Sequence, residues 1–288
     1  MRCVETTARL TLTCPDSAGI IAAVAGFLHA HNANITALDS HSTDPEGGRF
    51  FLRLEFQTPH LDLSLPSLDA AFQAVVASRF QMTWKISDAA HRRKMAIFVS
   101  KYDHALLEIL WRWRRRELPA EVSMVLSNHE DLRGAAEDFG IPYHHIPVDP
   151  SRRADAEEEA LDRLAGTADL IVLARYMQIL SPAFVSRFPN QIINIHHSFL
   201  PAFVGADPYQ QAHQRGVKLI GATAHYVTED LDQGPIIEQD VSRVSHRHQV
   251  HDLKRLGRDL ERQVLARAVK WHLEDRVIVL DNKTVILG

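Results

Sequence analysis

Cysteine is nearly absent: two in 288 residues, Cys3 and Cys14, too few for a disulfide framework. A reducing compartment is the expectation. No stretch approaches the run of about 18 apolar residues that crosses a bilayer. The opening Met1-Arg2-Cys3-Val4-Glu5 lacks the apolar core of a secretory leader. Basic charge is not in excess either, with 36 acidic against 32 basic residues and a net charge of −4. That balance argues against general attraction to nucleic acid or a membrane surface. Internal repeats and low-complexity segments are missing too. A cytoplasmic globular protein is the expectation.

What is present is ordinary for such a protein: 45% hydrophobic and 24% charged residues. The length suggests two domains. Residues 1–87 read as the first. Thr7 to Cys14 alternates like a half-buried strand and stops at Pro15-Asp16. Asp16 or Ser17 is placed to cap a helix from Ala18 to His31, whose Ile20, Val24, Phe27 and Leu28 share a face. Strands follow at Ile35–Leu38 and Phe50–Phe56 around a Pro45-Glu46-Gly47-Gly48 turn, then a helix over Ser67–Ser78 and a strand over Gln81–Ile86. The order βαββαβ is ferredoxin-like. Residues 88–94, polar and basic, read as a linker.

Residues 95–288 alternate strand and helix, with Met95–Ser100 and Asp169–Ala174 as continuous apolar strands. The pattern predicts a Rossmann-like, mostly parallel sheet with its site at the strands' carboxyl ends. Asp103 is placed to cap a helix over His104–Arg116, Asp252–His272 has helical period, and Val277–Leu280 with Thr284–Leu287 reads as a closing hairpin. The fold class is therefore α/β, in two domains.

One stretch organises the second domain. Pro189-Asn190-Gln191-Ile192-Ile193 runs a turn into an apolar β-branched segment, so Asn194 and His196 sit near a strand end and face one way. An amide beside an imidazole suits polarising a carbonyl and stabilising the oxyanion formed on attack. Asp232, in Leu231-Asp232-Gln233-Gly234-Pro235, adds a carboxylate able to orient or deprotonate a nucleophile. From the residues alone, a structural histidine and an ordinary Asp-Gly-Pro turn remain open beside this reading.

Asn194 to Pro201, Gly221 to Val227 and Leu231 to Ile237 with Gln239 resemble the folate-dependent formyltransferase family, a match that spans nearly the whole chain. His196-His197 and Val99 to His104 resemble the branch that hydrolyses 10-formyltetrahydrofolate to formate and tetrahydrofolate. The resemblance implies a catalytic trio of Asn194, His196 and Asp232 and a folate substrate. It implies no metal and no cofactor beyond that substrate. Met177 and Leu180 would pack on the pterin, and His197, Ser198, Thr223 and His225 would line or support the substrate site. It also implies formate supply for purine synthesis and balance of one-carbon pools.

Cys14 to Ile20 with Asn34-Ile35 resembles an ACT domain. That resemblance implies a module pairing with its copy in a homo-oligomer and holding a small amino acid, glycine or methionine, near Asp16, Gly19 and Asn34. A purely structural pairing module is the alternative.

A local scarcity chooses the acceptor. The loop Ser100-Lys101-Tyr102-Asp103-His104 contains no glycine, whereas family members that formylate glycinamide ribonucleotide hold its phosphate on a glycine-rich loop. Tyr102 and His104 are expected to narrow that space and leave water as nucleophile. An amine-acceptor transferase and a catalytically dead regulatory protein are the rivals. His246, His248 and His251 are expected on a solvated face, with His144 or His145 near the cleft mouth. Asp207, where a basic residue is expected, and Ala105, where a cysteine is common, depart from the family pattern.

Overall fold

A computed structural model describes residues 6–44, 46–201 and 208–288. Pro45 of the predicted turn and Asp207 lie outside the described residues. The chain forms two compact units, residues 1–92 with 274–280 and 285–288, and residues 93–273 with 281–284.

In the first unit the order is β1 (Thr7–Pro15), α1 (Ile20–Ala30), β2 (Asn34–Ser42), β3 (Arg49–Gln57), α2 (Leu65–Phe72), α3 (Ser78–Phe80) and β4 (Thr83–Asp88). A π-helical turn, Gln73–Ala77, joins α2 to α3. The sheet order β2-β3-β1-β4, antiparallel where β1 meets β3 and β4, is that of the predicted βαββαβ unit. Leu10 and Leu12 of β1 point toward the helices, and Phe27 meets Phe72 edge-on at 5.4 Å. Each fully buried aliphatic or aromatic side chain contributes about 1.5–3 kcal/mol. No side chain caps α1. Gly19 stands at its start with φ of 93°, and Asp16 instead accepts a hydrogen bond from the Ser42 hydroxyl.

The C-terminal segment departs from the predicted domain boundary. Arg53, only 7% exposed, donates from Nη2 to the Glu274 carbonyl at 2.9 Å and from Nε to the Asp275 carbonyl at 3.2 Å. The Asp275 carboxylate takes Lys85 at 3.0 Å and Ser87 at 2.9 Å. These bonds tie residues 274–280 into the first unit, because a buried guanidinium must find acceptors. The predicted linker also shortens, since β4 runs to Asp88 and the next strand opens at Arg93.

The second unit holds β5 (Arg93–Val99), α4 (His104–Arg114), β6 (Ala120–Ser127), α5 (Arg133–Glu137), β7 (Tyr143–His145), α6 (Arg153–Leu164) and β8 (Leu170–Leu173). It continues with α7 (Pro182–Val185), β9 (Ile192–His196), α8 (Pro208–Gln214), β10 (Leu219–Tyr226), β11 (Ile236–Arg243) and α9 (Val250–Leu273). The closing hairpin is β12 (Val277–Leu280) with β13 (Lys283–Ile286). The seven-stranded order is β11-β10-β9-β8-β5-β6-β7.

β5 pairs in parallel with both β6 and β8, and β8 with β9. The chain thus winds outward from β5 to β7, then restarts on β5's other side at β8. That reversal is a topological switch point, and the loops leaving the carboxyl ends there form a natural crevice for a ligand. β10 then runs antiparallel to β9, as does β11 to β10. Burial of both faces accounts for the continuous apolar strands: residues 95–99 are all buried. No helix among the described residues is long and apolar enough to cross a membrane.

Candidate active site

The site grows from the pairing of β9 with β10. Cross-strand register sets Asn194 opposite His225 and His196 opposite Thr223. A register shift between Ala224 and His225 on the β11 side is a bulge, a device that re-aims a side chain. Here His225 turns toward Asn194, whose Nδ2 donates to His225 Nε2 at 3.2 Å. His225 Nδ1 lies 2.9 Å from the Tyr226 carbonyl, so it must carry the hydrogen and leave Nε2 as acceptor. Asn194 therefore keeps its second amide N–H for a substrate.

Asp232 arrives from the loop between β10 and β11 in left-handed backbone, φ 57°. Gly234 makes that loop possible. A Cβ there would sit far inside contact distance of the Tyr226 carbonyl oxygen. Asp232 Oδ1 lies 3.3 Å from His196 Nδ1 and 3.7 Å from His225 Nε2. The His196 hydrogen bond holds the carboxyl well below the usual carboxylate range, so Asp232 is anionic. His196 Nε2 is buried and has no hydrogen-bonding partner among the described residues. Buried polar atoms are normally paired, so Nε2 marks where a reacting group belongs.

The three proposed catalytic side chains thus meet around one point, with an amide N–H, an imidazole nitrogen and an ionised carboxylate. The other predicted positions separate. Thr223 is fully buried and its hydroxyl is spent within the chain. It donates to the Ser198 carbonyl and accepts from Leu200 N and Gln239 Nε2. It props the segment after β9. His225, 2% exposed, supports Asn194 and Asp232 in the same way. Ser198 is 4% exposed and offers its carbonyl to Thr223.

Leu180 lines an apolar slot with Tyr176, Ile179 and Phe184. Met177 is 55% exposed and does not line it, because its own left-handed backbone, φ 58°, turns it outward. In the first unit, the Asn34 amide is engaged by Gln57 at 3.2 Å and Asp16 by Ser42. His144 and His145 pair with Arg163 and Glu130, and His248 Nδ1 accepts from Ser245 N.

Sequence reading missed a second cluster. A cavity of about 300 Å³ opens beside His197, walled by His104, Arg175, Tyr209, Arg258 and Glu261. Glu261 is 1% exposed; His104 Nε2 lies 2.8 Å from its carboxylate and the Tyr209 hydroxyl donates to it at 2.8 Å. Burial alone would raise the Glu261 carboxyl, but the His104 bond and the Arg175 charge outweigh it and hold it low. The polar Glu261 inside an otherwise helical apolar face of α9 was the available signal. Tyr102 and His104 both line this space, with Tyr102 48% exposed.

His197 has a distinct electrostatic state. Burial first, and the Arg175 charge second, push its imidazole down from 6.5 to about 4. Its folded value lies below the unfolded one, so its contribution to stability is present above about pH 6.5 and lost as pH falls toward 4. The second unit should therefore lose resistance to urea across that window. His197→Gln should flatten this decline, as read by urea midpoints at pH 7, 5.5 and 4.

Comparison with known proteins agrees with this geometry. The formyl transferase signature matches residues 93–269 and the ACT domain signature residues 8–72. A formyltetrahydrofolate deformylase of Bacillus subtilis is 56% identical over 99% of this chain and 95% of its own. The crystal structure of a formyltetrahydrofolate deformylase from Pseudomonas syringae pv. tomato superposes with a TM-score of 0.95 at 49% identity, covering 100% of this chain and 96% of that one. A glycinamide ribonucleotide transformylase from Symbiobacterium toebii reaches 0.65 at 31% identity and covers 69% of this chain and 95% of its own. The likeness to the deformylases thus spans both units, and the chain belongs to the formyltetrahydrofolate deformylase family.

Proposed function

We propose that Asn194, His196 and Asp232 carry the reaction of this family in this chain, the hydrolysis of 10-formyltetrahydrofolate to formate and tetrahydrofolate. The observation that carries the assignment is the orphaned His196 Nε2, buried beside an ionised Asp232 and an Asn194 with one amide N–H to spare. In this reading the Asn194 amide and the His196 imidazole bond the formyl oxygen. Asp232 Oδ1 is turned to His196, and the carboxylate orients a water and draws its proton as the oxygen attacks. Collapse of the tetrahedral intermediate breaks the C–N10 bond, and His196 passes a proton to N10. Asp232 and His196 exchange protons as one coupled pair. The side chains present supply both oxyanion donors and the base, so the reaction as written uses no cofactor.

The test is formate release from 10-formyltetrahydrofolate without any amine acceptor. The wild-type chain should release formate at every turnover. An amine-acceptor transferase would stall, and a dead regulatory protein would release none. Asn194→Ala should lower kcat by about a hundredfold or more, as loss of one oxyanion donor does. Activity within a few-fold of wild type would remove Asn194 from the mechanism.

For the ACT unit we propose a regulatory, pairing role in a homo-oligomer that operates in the cytoplasm. The nearly fully exposed edge strand β2, nine residues with free backbone on one side, supports pairing with a second copy. Repeating the formate assay with glycine or methionine tests the effector, and sedimentation tests the oligomer. The expected role in formate supply for purine synthesis rests on the reaction itself.

A further inference from the structure

We propose that the cavity beside His197 is a binding pocket for a small planar oxyanion, the formate product, anchored on the guanidinium of Arg175. Arg175 is an unusual residue for its place. Its φ of 66° lies in the left-handed region that favours glycine, yet it carries one of the longest side chains and buries it to 9% exposure. Strained backbone holding a buried charge points to a task beyond packing.

The guanidinium is only partly satisfied. Its Nε lies 3.5 Å from Glu261 Oε2, an ion-pair distance, and its Cζ stands 5.0 Å from the Tyr102 ring centroid. Neither Nε nor Nη1 has a hydrogen-bonding partner among the described residues. Glu261 also accepts from His104 and Tyr209, and it stands at ion-pair distance from Arg175 Nε without a hydrogen bond to it. An arginine presents five N–H donors in a planar fork that matches a carboxylate. The vacancy is therefore shaped for an anion.

The surroundings agree. Among the described residues, Arg175, Lys254 and Arg258 line the cavity with Glu261 as the one carboxylate. Low-dielectric walls focus such an excess of positive charge on a bound anion. The cavity lies one imidazole from the reaction centre, since the His197 ring on its wall is centred 5.3 Å from that of His196.

The chemistry supplies the ligand. Water oxygen bonds to the formyl carbon, the C–N10 bond breaks, N10 gains a proton, and formic acid yields its own proton to leave formate. That anion forms next to the Asp232 carboxylate, and like charges repel. A cationic pocket at the neighbouring imidazole gives it somewhere to go, before the next water enters. The inference rests on the trio placing the formyl carbon at His196.

Product inhibition tests it. Formate, and nitrate as a planar probe of similar size, should inhibit the wild-type chain. In Arg175→Gly, which suits the left-handed backbone and so keeps the fold, their inhibition constants should rise about tenfold or more, the equivalent of ~1.4 kcal/mol. Millimolar guanidinium should restore part of the lost affinity, and Arg175→Lys should fall between. An unchanged formate constant in an active Arg175→Gly protein would overturn the pocket while leaving the catalytic assignment intact. Stronger inhibition by inorganic phosphate than by formate or nitrate would also overturn it. Should the wild-type chain release no formate, the catalytic assignment fails by itself, and line broadening of ¹³C-formate by wild type but not by Arg175→Gly still decides the pocket.

Discussion

Asp232→Asn should lower formate release on the order of a thousandfold while leaving the fold in place, the scale on which a general base and its electrostatic support act. The amide keeps the shape of the carboxylate, so the loop is not disturbed sterically. It loses the charge that the His196 hydrogen bond holds in place. An amide can also turn its NH2 toward His196 Nδ1, which fixes the ring hydrogen on Nε2 and removes the carboxylate that supports a doubly protonated imidazole. The stability consequence has a definite sign. The folded Asp232 carboxyl is depressed, so its contribution is present above about pH 3.9, the unfolded value, and lost as pH falls below it. The Asn variant lacks that contribution at neutral pH and should be less sensitive to acid. Formate turnover within tenfold of wild type would remove Asp232 from the chemistry.

Gly234→Ala should damage both stability and rate. A methyl group at this position meets backbone, the Tyr226 carbonyl oxygen and carbon, and backbone cannot swing aside as a flexible side chain can. The cost should be about 3 kcal/mol or more, the upper range for overpacking. The same Tyr226 carbonyl accepts from His225 Nδ1, and Tyr226 N bonds the Pro235 carbonyl at 2.9 Å. Moving it therefore releases His225, which in turn orients Asn194, and shifts the loop that carries Asp232. A urea midpoint for the second unit and kcat should fall together. If kcat fell while the midpoint held, the loop would be yielding locally and the packing argument would fail.

The legible parts of the site were those governed by local periodicity. Asn194 and His196 could be paired in advance because alternate residues of a strand face the same side, and the apolar run before them marked the strand. The end of β9 at His196 agrees with that reading. Asp232 was read beside them as a carboxylate able to act on a nucleophile, but only resemblance set it apart from an ordinary turn, since nothing local to Leu231–Pro235 distinguishes the two. Whether Thr223 and His225 line the site or support it was open in the sequence, because residue type alone cannot tell a hydroxyl facing solvent from one saturated by Ser198, Leu200 and Gln239.

Composition, strand alternation and the position of glycines determined the two-unit α/β plan and the lack of a glycine-rich phosphate loop after β5. They did so because burial and backbone freedom act over a few neighbouring residues. Only the tertiary structure decided which hydrogen bonds each buried group obtained. The return of residues 274–280 onto Arg53, the shared use of Asp232 by two imidazoles and the half-satisfied Arg175 against Glu261 join residues far apart in the chain. Desolvation and charge pairing arise from that packing, and no run of adjacent residues encodes them.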